Sequence, residues 1–312
     1  MGFKCGIVGL PNVGKSTLFN ALTQADIESE NYPFCTIEPN VGVVTVNDSR
    51  LNELSEIVNP KKTIPTVMEF VDIAGLVEGA STGEGLGNQF LSNIRETDAI
   101  VHVVRAFEND DIVHVSGKVS PIDDIEIINT ELVLADMKTV ERSLEKNQKI
   151  LNANKPEGKI AEGALTGLLA HLNEGLAARS FKRDSKQDDV IKNLFLLTDK
   201  PMIYVANVDD HSIDTDQISK AKQIATNNLS SFVTINGKLE SEMADFDEEE
   251  KIIILEDYNL KETGLSTLIK EAYNTLGLQT FFTCGEMEVR GWTINKLSLI
   301  HISEPTRPRL IS

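Results

Sequence analysis

Short apolar runs alternate with longer amphipathic stretches along most of the chain. The runs are residues 3–8, 41–46, 67–72, 99–104, 202–207 and 232–235. They are rich in Val and Ile and mostly apolar, which is typical of strands that are covered on both faces. The pattern therefore predicts a doubly wound α/β fold, with a mainly parallel sheet and crossover helices.

The alternation stops between about residues 121 and 199, where apolar positions repeat at intervals of three, four and seven. The repeating positions are Val133, Met137, Val140, Leu144 and Leu151, followed by Ala161, Leu165, Leu168 and Leu172. This spacing draws one apolar stripe down each of two helices, and the turn at Pro156 and Gly158 lets them pack as an antiparallel hairpin. The opposite faces are charged, which favours a projecting arm; a two-helix cover over the sheet is the alternative.

Composition is that of a folded protein of about two average domains, with 312 residues, 41% of them hydrophobic and 25% charged. Its 48 acidic and 30 basic residues give a net charge of -18, which opposes contact with nucleic acids and anionic membranes. Three scattered cysteines fit neither a disulfide framework nor a paired-cysteine metal site. We therefore expect a cytoplasmic monomer that does not bind membranes.

The sharpest motif is GLPNVGKST at residues 9–17, a GxxxxGK[ST] pattern between a predicted strand and a predicted helix. Its glycines let the loop wrap closely around phosphates, whose oxygens then face backbone amides and the helix N-terminus. Lys15 supplies a positive charge to the β and γ phosphates, and the Ser16 hydroxyl is a ligand for Mg²⁺. We therefore assign nucleotide binding to Asn12, Val13, Gly14, Lys15, Ser16 and Thr17.

Two further segments add candidate ligands for the metal and the γ-phosphate. Asp72 ends a predicted strand and Gly75 follows it, so the carboxylate can hold the magnesium water shell while the glycine amide contacts the γ-phosphate. Residues 31–40 form a polar, proline-containing loop that carries Thr36. A lone threonine would be unremarkable, but between the other two motifs Thr36 is a candidate Mg²⁺ ligand that orders this loop when triphosphate is bound.

Four strings are similar to those of the YchF subfamily of Obg-like ATPases, within the Obg-related P-loop GTPase-like family. They are GLPNVGKST, NYPFCTIEPNVG, DIAGLVEGAS with GEGLGNQFL, and DIEIINTELVLADM, and the resemblance extends to about residue 296. It implies a GTPase-type nucleotide domain at residues 1–120 and 197–277, interrupted by a helical hairpin at 121–196 and followed by the start of a TGS domain at 278–296. It also implies nucleotide hydrolysis and contact with the ribosome or its large subunit.

The resemblance implies an unusual base preference. GTP-specific relatives carry Asn-Lys-x-Asp after a strand, whereas this chain has Asn207-Val208-Asp209-Asp210, with Val208 in place of the lysine. The subfamily prefers ATP, so Asn207 and Val208 are predicted to contact the base, with Asn207 turned toward the adenine edge. Asp210 restores a carboxylate at the guanine-reading position, so GTP is the alternative.

Hydrolysis is also expected to depart from the Ras-like template. Leu76 stands where a glutamine would orient the attacking water, and leucine cannot do so. The resemblance points instead to His114, because a neutral imidazole can accept a proton or orient water. The alternative is a loop histidine that only packs or is solvated. Asn12 is similar to an asparagine that ligates potassium in related switch proteins, which implies K⁺ beside Mg²⁺.

Two functions from different classes remain open on the sequence alone. The first is a magnesium-dependent ATPase that acts as a nucleotide-controlled switch. The second is an interaction module in which nucleotide stabilises one conformation and hydrolysis is incidental. The missing glutamine keeps this second hypothesis open.

The last part of the chain departs from the family pattern. Residues 278–296 resemble the opening of a TGS domain, but residues 297–312 match the translation of a sequencing-library adapter. We expect that tail to be non-native and to lie outside the fold. Phe281, Phe282 and Trp292 are then expected to be exposed, because too little chain follows to cover them.

Overall fold

The computed structural model describes residues 3–24, 40–73, 86–109, 118–152, 156–209, 215–244 and 246–296. The strands are β1 (Lys4–Val8), β2 (Val41–Val46), β3 (Thr63–Ile64), β4 (Thr66–Asp72), β5 (Ala99–Arg105), β6 (Met202–Asn207), β7 (Ser231–Ile235), β8 (Leu278–Cys284) and β9 (Val289–Asn295). The helices are α1 (Lys15–Gln24), α2 (Ser49–Val58), α3 (Leu86–Arg95), α4 (Pro121–Asn152), α5 (Pro156–Asn173), α6 (Ser185–Lys192), α7 (Asp216–Asn227), α8 (Gly237–Met243), α9 (Glu248–Asp257) and α10 (Gly264–Thr275). Each apolar run of the sequence pattern coincides with a strand to within one residue at either end.

The main sheet has the order β2-β4-β1-β5-β6-β7 within the described residues. All of its neighbouring strands are parallel except β2, which is antiparallel to β4 at one edge. Every residue of the central strands β5 and β6 is buried, whereas β2 alternates between buried and half-buried positions. The prediction of a mainly parallel α/β sheet is therefore confirmed, and unbroken apolar runs mark the strands with both faces covered.

Helices α4 and α5 pack against each other with their own hydrophobic cluster. Val133 and Val140 of α4 meet Leu165, Leu168 and Leu172 of α5 in that cluster. The first turns of α4 belong instead to the main core, to which they contribute Ile125, Ile128, Leu132 and Ala135. Thus α4 packs against the main core at its start and pairs with α5 further along. That the helix pair projects as an arm stays a prediction.

A buried carboxylate fixes α4 to the segment that leads into β6. Asp136 is fully buried, and its two oxygens accept hydrogen bonds from the Leu197 amide at 2.8 Å and the Thr198 amide at 2.7 Å. The Thr198 hydroxyl donates a third bond, also at 2.7 Å. Burial raises the pKa of Asp136, and these donors oppose that shift by favouring the charged form.

Of the helices described, none has both the length and the apolar character needed to cross a membrane.

The strands β8 and β9 form an antiparallel ribbon, and β9 also pairs in parallel with the two-residue strand β3. The ribbon packs against α2 and α10. As a result, Phe281 and Phe282 are half-buried, with the Arg50 guanidinium 5.2 Å from the Phe282 ring, and only Trp292 is strongly exposed, at 42%. The expectation that all three aromatic side chains are exposed is therefore wrong for the two phenylalanines. That this ribbon begins a TGS domain stays a prediction.

The acidic run at residues 245–250, which composition alone would assign to a solvated loop, contains the start of a helix. Asp247 caps α9 by accepting a hydrogen bond from the Glu250 amide at 2.9 Å. The Glu250 carboxylate in turn accepts one from the Asp247 amide at 3.1 Å. This reciprocal capping box offsets the absence of intrahelical partners in the first turn, which explains why an acidic sequence begins a helix here.

Candidate functional site

The loop between β1 and α1 is held so close to its neighbours that two of its positions require glycine. A Cβ on Gly9 would lie 2.6 Å from the Val103 carbonyl oxygen, and one on Gly14 would lie 2.1 Å from Asn207 Nδ2. Gly14 also has φ of 90°, and Asn12 has φ of 64°, both in the left-handed region. The loop therefore takes the tightly wound form that the GxxxxGK[ST] motif predicts, between a strand and a helix N-terminus.

Lys15 and Asp72 meet at the start of α1, as the two motifs predict. Lys15 Nζ lies 2.9 Å from Asp72 Oδ1 and donates a second hydrogen bond of 2.9 Å to the Ile73 carbonyl oxygen. The exposed fractions of these two side chains are 10% and 17%. In this partly desolvated setting the ion pair is stronger than a surface pair, and it brings the cation and the carboxylate to one place.

The side chains that would hold a magnesium ion are suited to it by chemistry. Ser16 and Thr17 are exposed in the first turn of α1, and Ser16 directly follows the lysine that is bonded to Asp72. A hydroxyl and a carboxylate are oxygen ligands of the kind that Mg²⁺ prefers, and it commonly keeps several waters. The described part of the proposed set, Ser16 and Asp72, therefore fits this ion.

Asn207 connects the P-loop to the N-terminus of α8. Its Nδ2 donates to the Val13 carbonyl oxygen at 3.0 Å, and its Oδ1 accepts from the Gly237 amide at 3.0 Å. The side chain is only 8% exposed. The resemblance implied an asparagine turned toward the adenine edge, whereas the geometry gives Asn207 a bracing role between two backbone segments. Its contact with a base stays a prediction.

Val208 lies beside the site but its side chain belongs to the hydrophobic core, where it is 4% exposed. Its amide donates to the Ile235 carbonyl oxygen at 2.9 Å, which extends the pairing of β6 and β7. A base could therefore meet the backbone of Val208 more readily than its side chain. The predicted contact of Val208 is retained only in that form.

Sequence reasoning missed Arg105, which ends β5 and is 1% exposed. It donates from Nε to the Phe107 carbonyl oxygen and from Nη2 to the Asn109 carbonyl oxygen, both at 3.1 Å. Its guanidinium carbon also lies 4.5 Å from the centroid of the Phe107 ring. The sign in the sequence was an arginine at the end of a mostly apolar strand. That sign does not identify its contacts, because a buried charge needs partners that the local sequence does not reveal.

Several candidate residues lie outside the described residues. They are Thr36, Gly75, Leu76, His114 and Asp210. Of the predicted site, the structure brings together the P-loop with Lys15, Asp72 and Asn207.

Comparisons with known proteins identify the family to which the chain is similar. The family described as "50S ribosome-binding GTPase" matches residues 4–155. The chain is 53% identical over 296 residues to the ribosome-binding ATPase YchF of Haemophilus influenzae, covering 95% of this chain and 82% of the relative. It is 52% identical over 300 residues to the protein of the same name from Bacillus subtilis, with the same coverage of 95% and 82%.

Among solved structures, the chain resembles the YchF GTPase of Schizosaccharomyces pombe. The TM-score is 0.84 at 39% identity, and the match covers 95% of this chain and 81% of that one. Sequence identity above half over nearly the whole chain and a shared fold lead to the same assignment. The chain belongs to the YchF family.

Proposed function

We propose that this chain is a magnesium-dependent P-loop ATPase that acts as a nucleotide-controlled switch and associates with ribosomes in the cytoplasm. The observation that carries the proposal is the pairing of Lys15 Nζ with Asp72 Oδ1 at 2.9 Å, directly beside the tightly wound P-loop. The names of the bacterial relatives, ribosome-binding ATPase, support both the activity and the partner.

The described residues supply phosphate binding and charge neutralisation. The amides of residues 12–17 and the N-terminus of α1 bind the phosphates, and Lys15 moves its ammonium from Asp72 to the β and γ phosphates. Asp72 then remains for the water shell of the metal, with Ser16 and Thr36 as direct ligands. Bound Mg²⁺ supplies Lewis-acid polarisation of the phosphoryl oxygens. Gly75 contacts the γ-phosphate, and ordering of the loop around Thr36 gives the switch its two states.

For the attack of water, we propose His114 as the orienting group and K⁺ at Asn12 as an additional positive charge. Both proposals follow from family resemblance together with the leucine at position 76. We retain residues 121–196 as a hairpin insertion, residues 278–296 as the start of a TGS domain and 297–312 as non-native sequence.

The enzyme function is tested by measuring phosphate release from ATP with Mg²⁺ and with EDTA. We expect turnover to require Mg²⁺ and to fall to background in Lys15→Ala, because the loop then lacks its charge for the β and γ phosphates. Lys220→Ala is the matched control, since this lysine is exposed and forms an ion pair with Asp216 within α7. If folded Lys15→Ala and His114→Ala both turn over like the parent, the enzyme function fails and the interaction module is favoured.

GTP is the second candidate substrate, and the solved relative from S. pombe carries the name GTPase. Equilibrium titration of matched ATP and GTP analogues separates the two. We expect ATP to bind more tightly; a tenfold preference for GTP, about 1.4 kcal/mol, would reverse the assignment.

A further inference from the structure

The segment that follows β5, residues 106–109, lies close to residues 207–209 and to the P-loop. The Ala106 amide donates to the Asn207 carbonyl oxygen at 2.8 Å, and the Glu108 amide donates to Asp209 Oδ2 at 3.2 Å. The Phe107 Cε1 atom lies 3.9 Å from the position of a Cβ on Gly14. Residues 106–109 therefore form a wall that is hydrogen-bonded to residues 207–209 and brings the Phe107 ring close to Gly14 of the P-loop.

Arg105 holds this wall from inside the protein. Two of its N–H groups meet the carbonyl oxygens of Phe107 and Asn109 at 3.1 Å, while the guanidinium lies over the Phe107 ring. The planar fork of arginine can direct two N–H groups to two separate carbonyls and can also lie over an aromatic ring, whereas an ammonium group is a single point charge. A charged side chain that is 1% exposed is expensive to bury, so its bonds fix it and the backbone that it contacts.

We propose that Arg105 is a positioning residue for nucleotide binding, and this proposal rests on the function proposed above. It acts through residues 106–109. By holding the carbonyls of Phe107 and Asn109, it directs the amides of Ala106 and Glu108 to residues 207–209 and places Phe107 beside Gly14. The expected consequence is a defined position of Asn207 and Asp209 relative to the P-loop. Loss of Arg105 lets this wall shift, and the affinity for nucleotide falls.

The test is the dissociation constant of a fluorescent, non-hydrolysable ATP analogue, measured on the full chain together with thermal unfolding. We expect Arg105→Met to weaken binding at least tenfold. We expect Arg105→Lys to bind the analogue at least fivefold more weakly than the parent, because lysine keeps the charge but lacks the planar fork of N–H groups. A lysine variant that binds within twofold of the parent would overturn the geometric argument.

Arg179→Met is the matched control for lost stability. Arg179 is half-buried and likewise donates to backbone carbonyls, at 2.9 Å to Asn228 and 3.0 Å to Thr198, but it lies near the start of β6, at the opposite end from Asn207. We expect a comparable fall in melting temperature with binding within twofold of the parent. Equal weakening in the Arg105 and Arg179 variants would reduce Arg105 to a structural role and refute the proposal.

A second variant keeps the test decisive if Arg105→Met does not fold. Glu108→Pro removes the amide that donates to Asp209. We expect Glu108→Pro to weaken binding at least threefold relative to the parent. Equal affinity in Glu108→Pro and the parent would contradict the inference. If the parent itself binds neither an ATP nor a GTP analogue, both the proposed function and the inference about Arg105 fail. That outcome is distinguishable from normal binding by the parent together with normal binding by the variants, which contradicts the inference alone.

Discussion

At the scale of single residues, the close approach of Gly14 to Asn207 predicts that no larger residue is tolerated at position 14. Gly14 has φ of 90°, and an added Cβ would lie 2.1 Å from Asn207 Nδ2. Gly14→Ala is therefore expected to displace Asn207 from both Val13 and Gly237, and to cost more than about 1 kcal/mol of unfolding free energy together with most nucleotide binding. Urea unfolding and an ATP-analogue titration measure the two effects.

Gly163→Ala is the control for that substitution. Gly163 lies within α5, its φ is not in the left-handed region, and no atom lies within 4 Å of an added Cβ. Alanine in an open helix position is expected to stabilise by about 0.5–1 kcal/mol, with no change in nucleotide binding. Similar losses in both variants would show that the Gly14 site has no special constraint.

The buried histidine His102 is expected to make the folded protein less stable in acid. It lies in β5, fully buried, with its ring 5.4 Å from the Tyr204 ring and no hydrogen-bond partner among the described residues for either ring nitrogen. Burial lowers the pKa of His102 from 6.5 to about 3. The unfolded chain therefore binds this proton below pH 6.5 while the folded chain does not, so stability falls as the pH drops from 6.5 toward 3.

Between pH 7 and pH 5 this single histidine is expected to remove about 2 kcal/mol of stability. His102→Leu should lack that component, because leucine does not titrate and fits an apolar site. Urea unfolding of parent and variant at both pH values gives the difference, in which the other ionisable groups largely cancel. Identical pH dependence in the two proteins would mean that His102 is accessible to protons in the folded state.

The residues of the site differ in how far sequence could predict them. Lys15 and Asp72 were predictable because each belongs to a motif whose spacing implies a common phosphate and metal. Asn207 was identified by type, but its partners Val13 and Gly237 are distant in sequence, so its bracing role was not foreseeable. Arg105 gave almost no signal, since the chain does not reveal which backbone carbonyls a buried guanidinium will meet.

At the scale of elements, Asp136 is expected to be the main polar anchor between α4 and the segment before β6. Asp136→Ala would leave two buried amides and a hydroxyl without their acceptor, at about 1–3 kcal/mol for each unsatisfied group. We expect a loss of at least about 3 kcal/mol in urea unfolding. Glu141→Ala, at an exposed position on the same helix, is expected to change stability by less than about 0.5 kcal/mol. If Asp136→Ala lowers the free energy of unfolding by less than about 1 kcal/mol, Asp136 is not the main polar anchor between these segments.

Elements were predictable where local apolar patterns decide them and were missed where distant pairing or helix capping decides them. The strands of the main sheet, and the stripes of α4 and α5, follow from local apolar periodicity. Strand β3 has only two residues and exists because Thr63 and Ile64 pair with Val289 and Arg290 far along the chain. The start of α9 depends on the reciprocal capping of Asp247 and Glu250, which outweighs the acidic character of the run.

At the scale of the whole molecule, the net charge of -18 limits how a ribosome can be bound. Proteins that make 6 to 10 phosphate contacts lose about 10³–10⁵ in affinity between 50 and 200 mM salt. A strongly acidic chain is repelled by rRNA, so we expect contact mainly through protein surfaces and a loss below about tenfold over that range, equivalent to about two phosphate contacts. Co-sedimentation with purified ribosomes at constant Mg²⁺ measures it, with ribosome integrity checked at each salt concentration. A thousandfold loss would instead show that a local basic surface on this acidic protein binds rRNA directly.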